Sequence, residues 1–243
     1  IPPGAGSVVH YQFKVPEDQQ EALKVSVRLN YRKFDTSYMQ YVYGEDYVND
    51  LPVSVLAEDV VHFPVTGSKA PEADSTAAIA PPAFPVWQRW NDYGIGLLLK
   101  GSAGSDKGEL KQASEAFAQV ESLGRPEGPV NAARVFFKEG RVDDAARALQ
   151  RAAGFTPPAP RWTMAWFTGR VHAQNGELDE AIQNYKSILE DRYPELDERG
   201  FDFSKDYVVI NELGQTYYLR SKLERGQPER EKQFLDLAIE QFN

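Results

Sequence analysis

The stretch GRVDDAARALQRA, from Gly140 to Ala152, carries the clearest structural pattern in this chain. Gly140 can end a helix in the left-handed conformation, which costs glycine little. Five residues later, Ala145 offers a small side chain where two helices can approach closely. Leu149 follows after four more residues, so it lies on the same helical face as Ala145. The stretch therefore predicts a glycine turn and a helix that packs back on the one before it.

The same pattern occurs in a unit before this stretch and in a unit after it. Each has a glycine, an alanine five residues on and a large apolar residue after four more: Gly108, Ala113 and Phe117, then Gly176, Ala181 and Tyr185. The three alanines are 32 and 36 residues apart, a period typical of helical repeats. A proline, which stops a helix, closes each unit: Pro126, Pro157 and Pro194. Three units in register predict an array of helical hairpins.

This pattern resembles the tetratricopeptide repeat, whose first helix carries an apolar residue, a Leu-Gly pair and a tyrosine. Those positions are matched by the following residues: Trp90, Gly94 and Leu97, then Ala133 and Phe136, then Gly169 and His172, then Leu213, Gly214 and Tyr217. Ala238 and Phe242 match the second helix of a further unit. The resemblance implies a solenoid of about four hairpins over residues 86–243. Because no polar capping helix follows, we expect a truncated last repeat in a segment of a longer chain.

Residues 1–65 have a different period. From Leu23 to Tyr31, apolar and polar residues alternate, which predicts a half-buried strand. Val9–Val15, Tyr38–Tyr43 and Val53–Val65 are further candidate strands, so we expect a small antiparallel β-domain, with a sandwich as one way to close it. Residues 66–85 carry four prolines and mostly small side chains, which favours a linker. The predicted fold class is α+β, with a β-rich domain at 1–65, a linker at 66–85 and an all-α solenoid at 86–243.

Composition limits the partners. Lys and Arg total 27 against 36 Asp and Glu, a net charge of −9 that would repel a phosphate backbone. No apolar stretch approaches the roughly 18 residues of a membrane helix. There is no cysteine, which excludes disulfides, thiolate metal sites and covalent attachment of c-type haem within these residues. We expect a protein partner, which would be a peptide segment, a neighbouring domain or a second copy, and neither nucleic acid nor membrane insertion.

Three stretches carry a wider resemblance: RLNYRKFD (Arg28–Asp35), DLPVSVLAEDVVHFPV (Asp50–Val65) and WQRWNDYGIGLLLKG (Trp87–Gly101). They resemble the region that follows the haem-binding part of multihaem c-type cytochromes with tetratricopeptide repeats. This implies a periplasmic or extracellular scaffold, the haem-free part of an electron-transfer protein, with c-type haem in a domain upstream of Ile1. The alternative is an exported interaction or self-assembling protein with no redox role.

No residue pattern selects a catalytic or metal site. His10 and His62 lie in predicted strands, and His172 lies in a first helix, where we expect it to pack between helices. Alternation places Asp59 on the face opposite His62, and Glu58 lies about 13 Å from His62 along the strand. We therefore assign no catalytic, cofactor-binding or metal-binding residue. An enzyme with its active site in the β-domain is the least favoured interpretation.

The tetratricopeptide resemblance implies that exposed residues of the first helices line a concave face that binds a partner. The partner-binding candidates are Arg134, Lys138, Trp166, Arg170, Asn211, Gln215 and Tyr218, with Asn91 and Phe137 beside them. Arg134 and Arg170 occupy equivalent positions in successive units, and guanidinium groups bind carboxylates in bidentate fashion. Trp166 and Tyr218 could supply apolar contacts. The alternative is that both arginines pair with neighbouring acidic side chains on a solvated surface.

Overall fold

A computed structural model describes residues 8–19, 21–63, 84–101 and 108–242 of the chain. The described residues divide into two compact units, one within residues 11–63 and the other within residues 8–10, 84–101 and 108–242. The predicted linker, residues 66–85, lies almost entirely outside the described residues, so its limits and those of the two predicted domains stay predictions.

The smaller unit contains an antiparallel pair of strands. Strand β1 (Leu23–Tyr31) pairs with β2 (Ser54–Phe63), and Leu23 lies opposite Phe63. Arg28 and Glu58 are opposite each other in this register, and the Arg28 guanidinium donates to the carboxylate at 3.1 Å. Two of the predicted strands are therefore confirmed, and the fold class is α+β. The expected half-buried face is wrong, because nearly all side chains of both strands are exposed.

The other two strand predictions are wrong. Tyr38–Tyr43 belongs to helix α1 (Thr36–Tyr43). Asp35 caps this helix by accepting a hydrogen bond from the backbone N–H of Tyr38 at 2.7 Å, and Gly44 ends it with a φ of 105°. These two local signals outweigh the strand propensity of the tyrosine and valine residues between them.

Residues 9–15 do not join the sheet. An alternating pattern determines which side chains share a face, but it does not identify a neighbouring strand with which to pair. Within the described residues, the sheet has two strands and no second layer, so the sandwich is also wrong.

The larger unit is built from helical hairpins in chain order. Its described part contains four pairs of helices: α2 (Val86–Lys100) with α3 (Glu109–Ser122), α4 (Glu127–Lys138) with α5 (Val142–Ala153), α6 (Arg161–Asn175) with α7 (Leu178–Glu190), and α9 (Tyr207–Leu223) with α10 (Pro228–Phe242). A short helix, α8 (Pro194–Asp197), and a 3-10 turn (Phe203–Lys205) separate the third pair from the fourth. The predicted solenoid of about four hairpins is confirmed.

The register of the repeats follows from contacts between a glycine on each first helix and an aromatic ring on its partner. A Cβ placed on Gly94 would lie 2.6 Å from the ring of Phe117, and one on Gly214 would lie 2.6 Å from the ring of Phe242. Ala113, Ala145 and Ala181 are 0% exposed, as expected where helices approach closely. The glycine contacts and the buried alanines both confirm the register that the sequence predicts.

Apolar clusters join each hairpin to the next. One cluster includes Leu97, Phe117 and Val135 from the first three helices of the array, and another includes Tyr185, Leu213 and Ala238 from its last helices. None of the helices found in the described residues is long and apolar enough to cross a membrane.

Candidate functional site

The first helices of the four hairpins lie side by side. The Asn131 side-chain amide of α4 donates to the amide oxygen of Asn91 on α2 at 2.8 Å. The rings of Phe137 on α4 and Phe167 on α6 stack with centroids 6.1 Å apart. The Arg170 guanidinium of α6 lies 4.0 Å from the carboxylate of Glu212 on α9. These contacts make one surface from α2, α4, α6 and α9.

A groove of about 360 Å³ runs along this surface between α2, α4 and α6. Its described lining consists of apolar and cationic side chains: Leu98, Leu99, Arg134, Phe137, Lys138, Trp166, Phe167 and Arg170. The structure therefore brings together four of the seven predicted binding residues. Three of these four are cationic, and no carboxylate belongs to the described lining.

Arg134 is a partly buried cation beside a neutral partner. Its Nη1 donates to the Asn131 amide oxygen at 2.8 Å, and loss of solvent lowers the pKa of the guanidinium. Within the described part of the chain, no carboxylate lies within 4.0 Å of it. The alternative that this arginine is paired with a neighbouring acidic side chain is therefore wrong for the described residues.

Arg170 lies at the other side of the groove, with its guanidinium carbon 5.2 Å from the centre of the Phe137 ring. Its ion pair with Glu212 is long, at 4.0 Å, and its side chain is 40% exposed. An exposed pair at that distance is weak. For Arg170, the alternative of an acidic neighbour on the same surface is therefore confirmed, and its role in binding a partner stays a prediction.

Lys138 has a structural role that the sequence did not reveal. Its Nζ donates to the backbone oxygens of Leu98 and Gly101 at 2.8 and 2.7 Å, at the C-terminal end of α2. These carbonyls have no partner within their own helix, and a positive charge favours the negative end of a helix dipole. Lys138 thus joins α4 to α2 and also contributes positive charge to the groove.

Below the groove, the ring of Trp166 packs against Tyr185 with centroids 5.9 Å apart. The Tyr185 hydroxyl is buried and has no hydrogen-bond partner among the described residues. Burial, and then the negative charge of Glu212, raise the pKa of Tyr185, and Arg170 partly opposes this effect. The aromatic side of the groove therefore lies on a fully packed core residue.

A second pocket, of about 350 Å³, adjoins the groove. Its lining is mainly apolar and shares Trp166 and Phe167 with the groove: the other members are Trp162, Thr163, Ile188, Phe203, Asp206, Val208 and Val209. The four-residue spacing of Trp162, Trp166 and Arg170 could have indicated a common helical face. Phe203 had no such signal, because it belongs to the connection between α7 and α9, where the repeat pattern is interrupted.

The remaining three predicted residues lie elsewhere. Asn211, Gln215 and Tyr218 are exposed on α9, and none of them belongs to the described lining of the groove or of the second pocket. The Tyr218 ring is covered in part by the Lys222 ammonium, 4.4 Å from its centre. Their role in binding stays a prediction.

His62 and His172 each lie beside a charged residue. In the sheet, His62 lies opposite Lys24. His172 is only half-buried, and its Nδ1 lies 2.5 Å from a carboxylate oxygen of Glu177, so the expected core position is wrong. No group of three or more metal-binding side chains is found in the described ranges.

A family model described as a tetratricopeptide repeat matches residues 98–160 and again residues 130–196. Together the two overlapping matches run from the end of α2 to α8. No curated protein and no solved structure matches the chain. The family matches support a tetratricopeptide repeat protein, and arrays of this kind are protein-interaction scaffolds.

Proposed function

We propose that this scaffold binds an acidic segment of a partner protein in the groove between α2, α4 and α6. The observation that carries the proposal is the partly buried Arg134 guanidinium, whose partner is the neutral amide of Asn131. Burying a charge is costly unless an opposite charge compensates it. A carboxylate of the partner would provide that compensation.

The charge distribution supports the same conclusion. The chain has a net charge of −9, yet Arg134, Lys138 and Arg170 gather in one groove. Because Lys138 is engaged by two carbonyls of α2, the arginines are the groups that would bind a ligand directly. A guanidinium binds a carboxylate in a planar, bidentate arrangement.

The proposal is tested by reversing both charges. The purified full chain and its Arg134→Glu/Arg170→Glu variant would be cross-linked in an extract of the source cells, and captured partners would be identified, purified and titrated. Loss of affinity for an acidic partner, with an unchanged thermal melting curve, is the expected result. The matched control is Lys111→Glu/Arg225→Glu, which reverses two exposed charges outside the groove. Equal affinity of both variants for the partner would rule the groove out.

The cellular context is a second part of the proposal. The three stretches Arg28–Asp35, Asp50–Val65 and Trp87–Gly101 favour the haem-free part of an exported multihaem electron-transfer protein, in the periplasm or outside the cell. The chain has no cysteine and so cannot attach c-type haem itself. The haem would belong to a domain upstream of Ile1.

A visible absorption spectrum of the untrimmed native protein tests this context. A c-type haem band would support it. Absence of the band would leave an exported interaction protein without a redox role. In that case, light scattering at several concentrations would distinguish a self-assembling protein from one that binds a different partner.

A further inference from the structure

We propose that the ligand of the groove is an extended peptide with an acidic side chain and, about four residues away, a large apolar side chain. This inference rests on the proposed function, because it names what the same surface binds. It adds a second contact point, the pocket beyond Trp166, and a spacing between the two points.

The acidic side chain would lie between Arg134 and Arg170. These two cations line the same groove, and the Phe137 ring lies 5.2 Å from the Arg170 guanidinium. An aromatic face beside a guanidinium holds it by a cation–π interaction. A carboxylate entering from solvent would find both guanidinium groups on the walls of one cleft.

The apolar side chain would enter the pocket formed by Trp162, Trp166, Phe203 and Val208. The Trp162 and Phe203 rings are themselves in contact, with centroids 5.8 Å apart. Asp206 also lines this pocket, but its carboxylate accepts hydrogen bonds from the N–H groups of Val208 and Val209 at 2.9 and 3.2 Å. That acidic group therefore caps α9 and needs no polar ligand, which leaves an apolar pocket.

The two points belong to one binding surface because Trp166 and Phe167 line both. Trp162 and Arg170 are eight residues apart on α6, which corresponds to a rise of about 12 Å along the helix. An extended peptide advances about 3.3 Å per residue. It therefore spans the interval with about four residues.

A peptide fits these observations better than single-stranded nucleic acid does. Aromatic rings and cations can also hold stacked bases, but the net charge of −9 opposes a phosphate backbone. Binding of an oligodeoxythymidylate is therefore measured as the test of the nucleic-acid alternative.

The experiment measures fluorescence anisotropy with the full chain and labelled Gly/Ser peptides that contain one Glu and one Phe. The separation between Glu and Phe varies from one to eight residues. We expect the tightest binding near a separation of four, and roughly tenfold weaker binding when Glu becomes Gln or Phe becomes Ala.

Variants of the protein assign each contact. In Phe203→Ala, the Phe and Ala peptides should bind equally, while the preference for Glu over Gln remains. In Arg134→Gln, the preference for Glu should fall and the preference for Phe should remain. Melting curves establish that each variant is folded. Should Phe203→Ala unfold the chain, Trp162→Phe is used instead, because it replaces a ring that lines the same pocket with a smaller one.

The outcomes separate this inference from the proposed function. Tight binding of acidic peptides regardless of Phe would overturn the two-point ligand and leave the acidic-partner proposal intact. No binding of any peptide at about 1 mM, or stronger binding of oligodeoxythymidylate, would overturn the inference. The proposed function itself would be contradicted only if the captured partner still bound after charge reversal at Arg134 and Arg170.

Discussion

Gly169, at the residue scale, shows how closely paired helices pack. A Cβ at this position would lie 2.8 Å from ring carbon Cε1 of Tyr185 on the partner helix. The Tyr185 ring is fully buried and has little room to move away. The glycine therefore serves close packing rather than an unusual backbone conformation.

We expect Gly169→Ala to lower the free energy of unfolding by about 1–3 kcal/mol, because overpacking outweighs the better helix propensity of alanine. Urea denaturation measures the change. The matched control is Gly154→Ala, where the added Cβ would meet only the Arg151 backbone oxygen at 3.4 Å. If both substitutions have the same effect, the contact with Tyr185 is not what requires glycine.

The Tyr185 hydroxyl allows a second prediction at this scale. It is buried without a hydrogen-bond partner among the described residues, a situation that carries a desolvation cost. We expect Tyr185→Phe to raise the free energy of unfolding by about 1 kcal/mol. In the control, Tyr193→Phe, the lost hydroxyl donates to the Ser187 backbone oxygen at 2.7 Å, so stability should fall by about 1 kcal/mol. A destabilised Tyr185→Phe protein would contradict this account.

At the scale of elements, Lys138 adds a charged link between α4 and the C-terminal end of α2. Lys138 reaches the carbonyls of Leu98 and Gly101, so it closes the end of α2 with a charge from the following hairpin. We expect Lys138→Met to lower the free energy of unfolding by about 1–2 kcal/mol, because two carbonyls and a helix dipole lose their partner. Thermal or urea unfolding tests this, with the exposed Lys111→Met as the control. An equal effect of both changes would mean that the carbonyls are satisfied by water.

The start of α5 provides a pH dependence at the same scale. Asp144 accepts hydrogen bonds from Arg141 and Arg147, at 2.7 and 2.5 Å, and these contacts hold its carboxyl pKa below the usual value. A pKa that is lower in the folded state contributes stability above the unfolded pKa, near 3.9. That contribution disappears as the pH falls through the folded pKa. The free energies of unfolding of the wild type and Asp144→Asn, measured from pH 7 to pH 2, should therefore differ above about pH 4 and converge at the acidic end. Parallel curves would contradict the shift.

At the scale of the whole molecule, the helical array is stabilised between neighbours. Its apolar clusters link adjacent hairpins, so a local loss of packing should spread first to the next helices. Hydrogen exchange of Gly169→Ala should accelerate most in α6 and α7, then in α5 and α9, and least in α2 and α3. Uniform acceleration through all the hairpins would instead indicate one cooperative unit.

The sequence predicted the repeats well because their signals are local. Gly140, Ala145 and Leu149 lie within ten residues, and their spacing alone determines which side chains share a helical face. The sequence prediction failed for Tyr38–Tyr43, where the capping residues Asp35 and Gly44 outweigh the strand propensity of tyrosine and valine. It also failed for residues 9–15, since a strand requires a neighbour that its own pattern does not identify.

Residue spacing was thus enough to predict the helical array, its register and the surface that carries Arg134, Trp166 and Arg170. Contacts between distant parts of the chain could not be predicted in this way. Lys138 donates to carbonyls of α2 that are 37 and 40 residues away, and the Phe203 ring packs beside Trp162. The physical reason is distance along the chain. Helical periodicity acts over a few residues, whereas a groove is made by side chains that meet only after whole helices have packed.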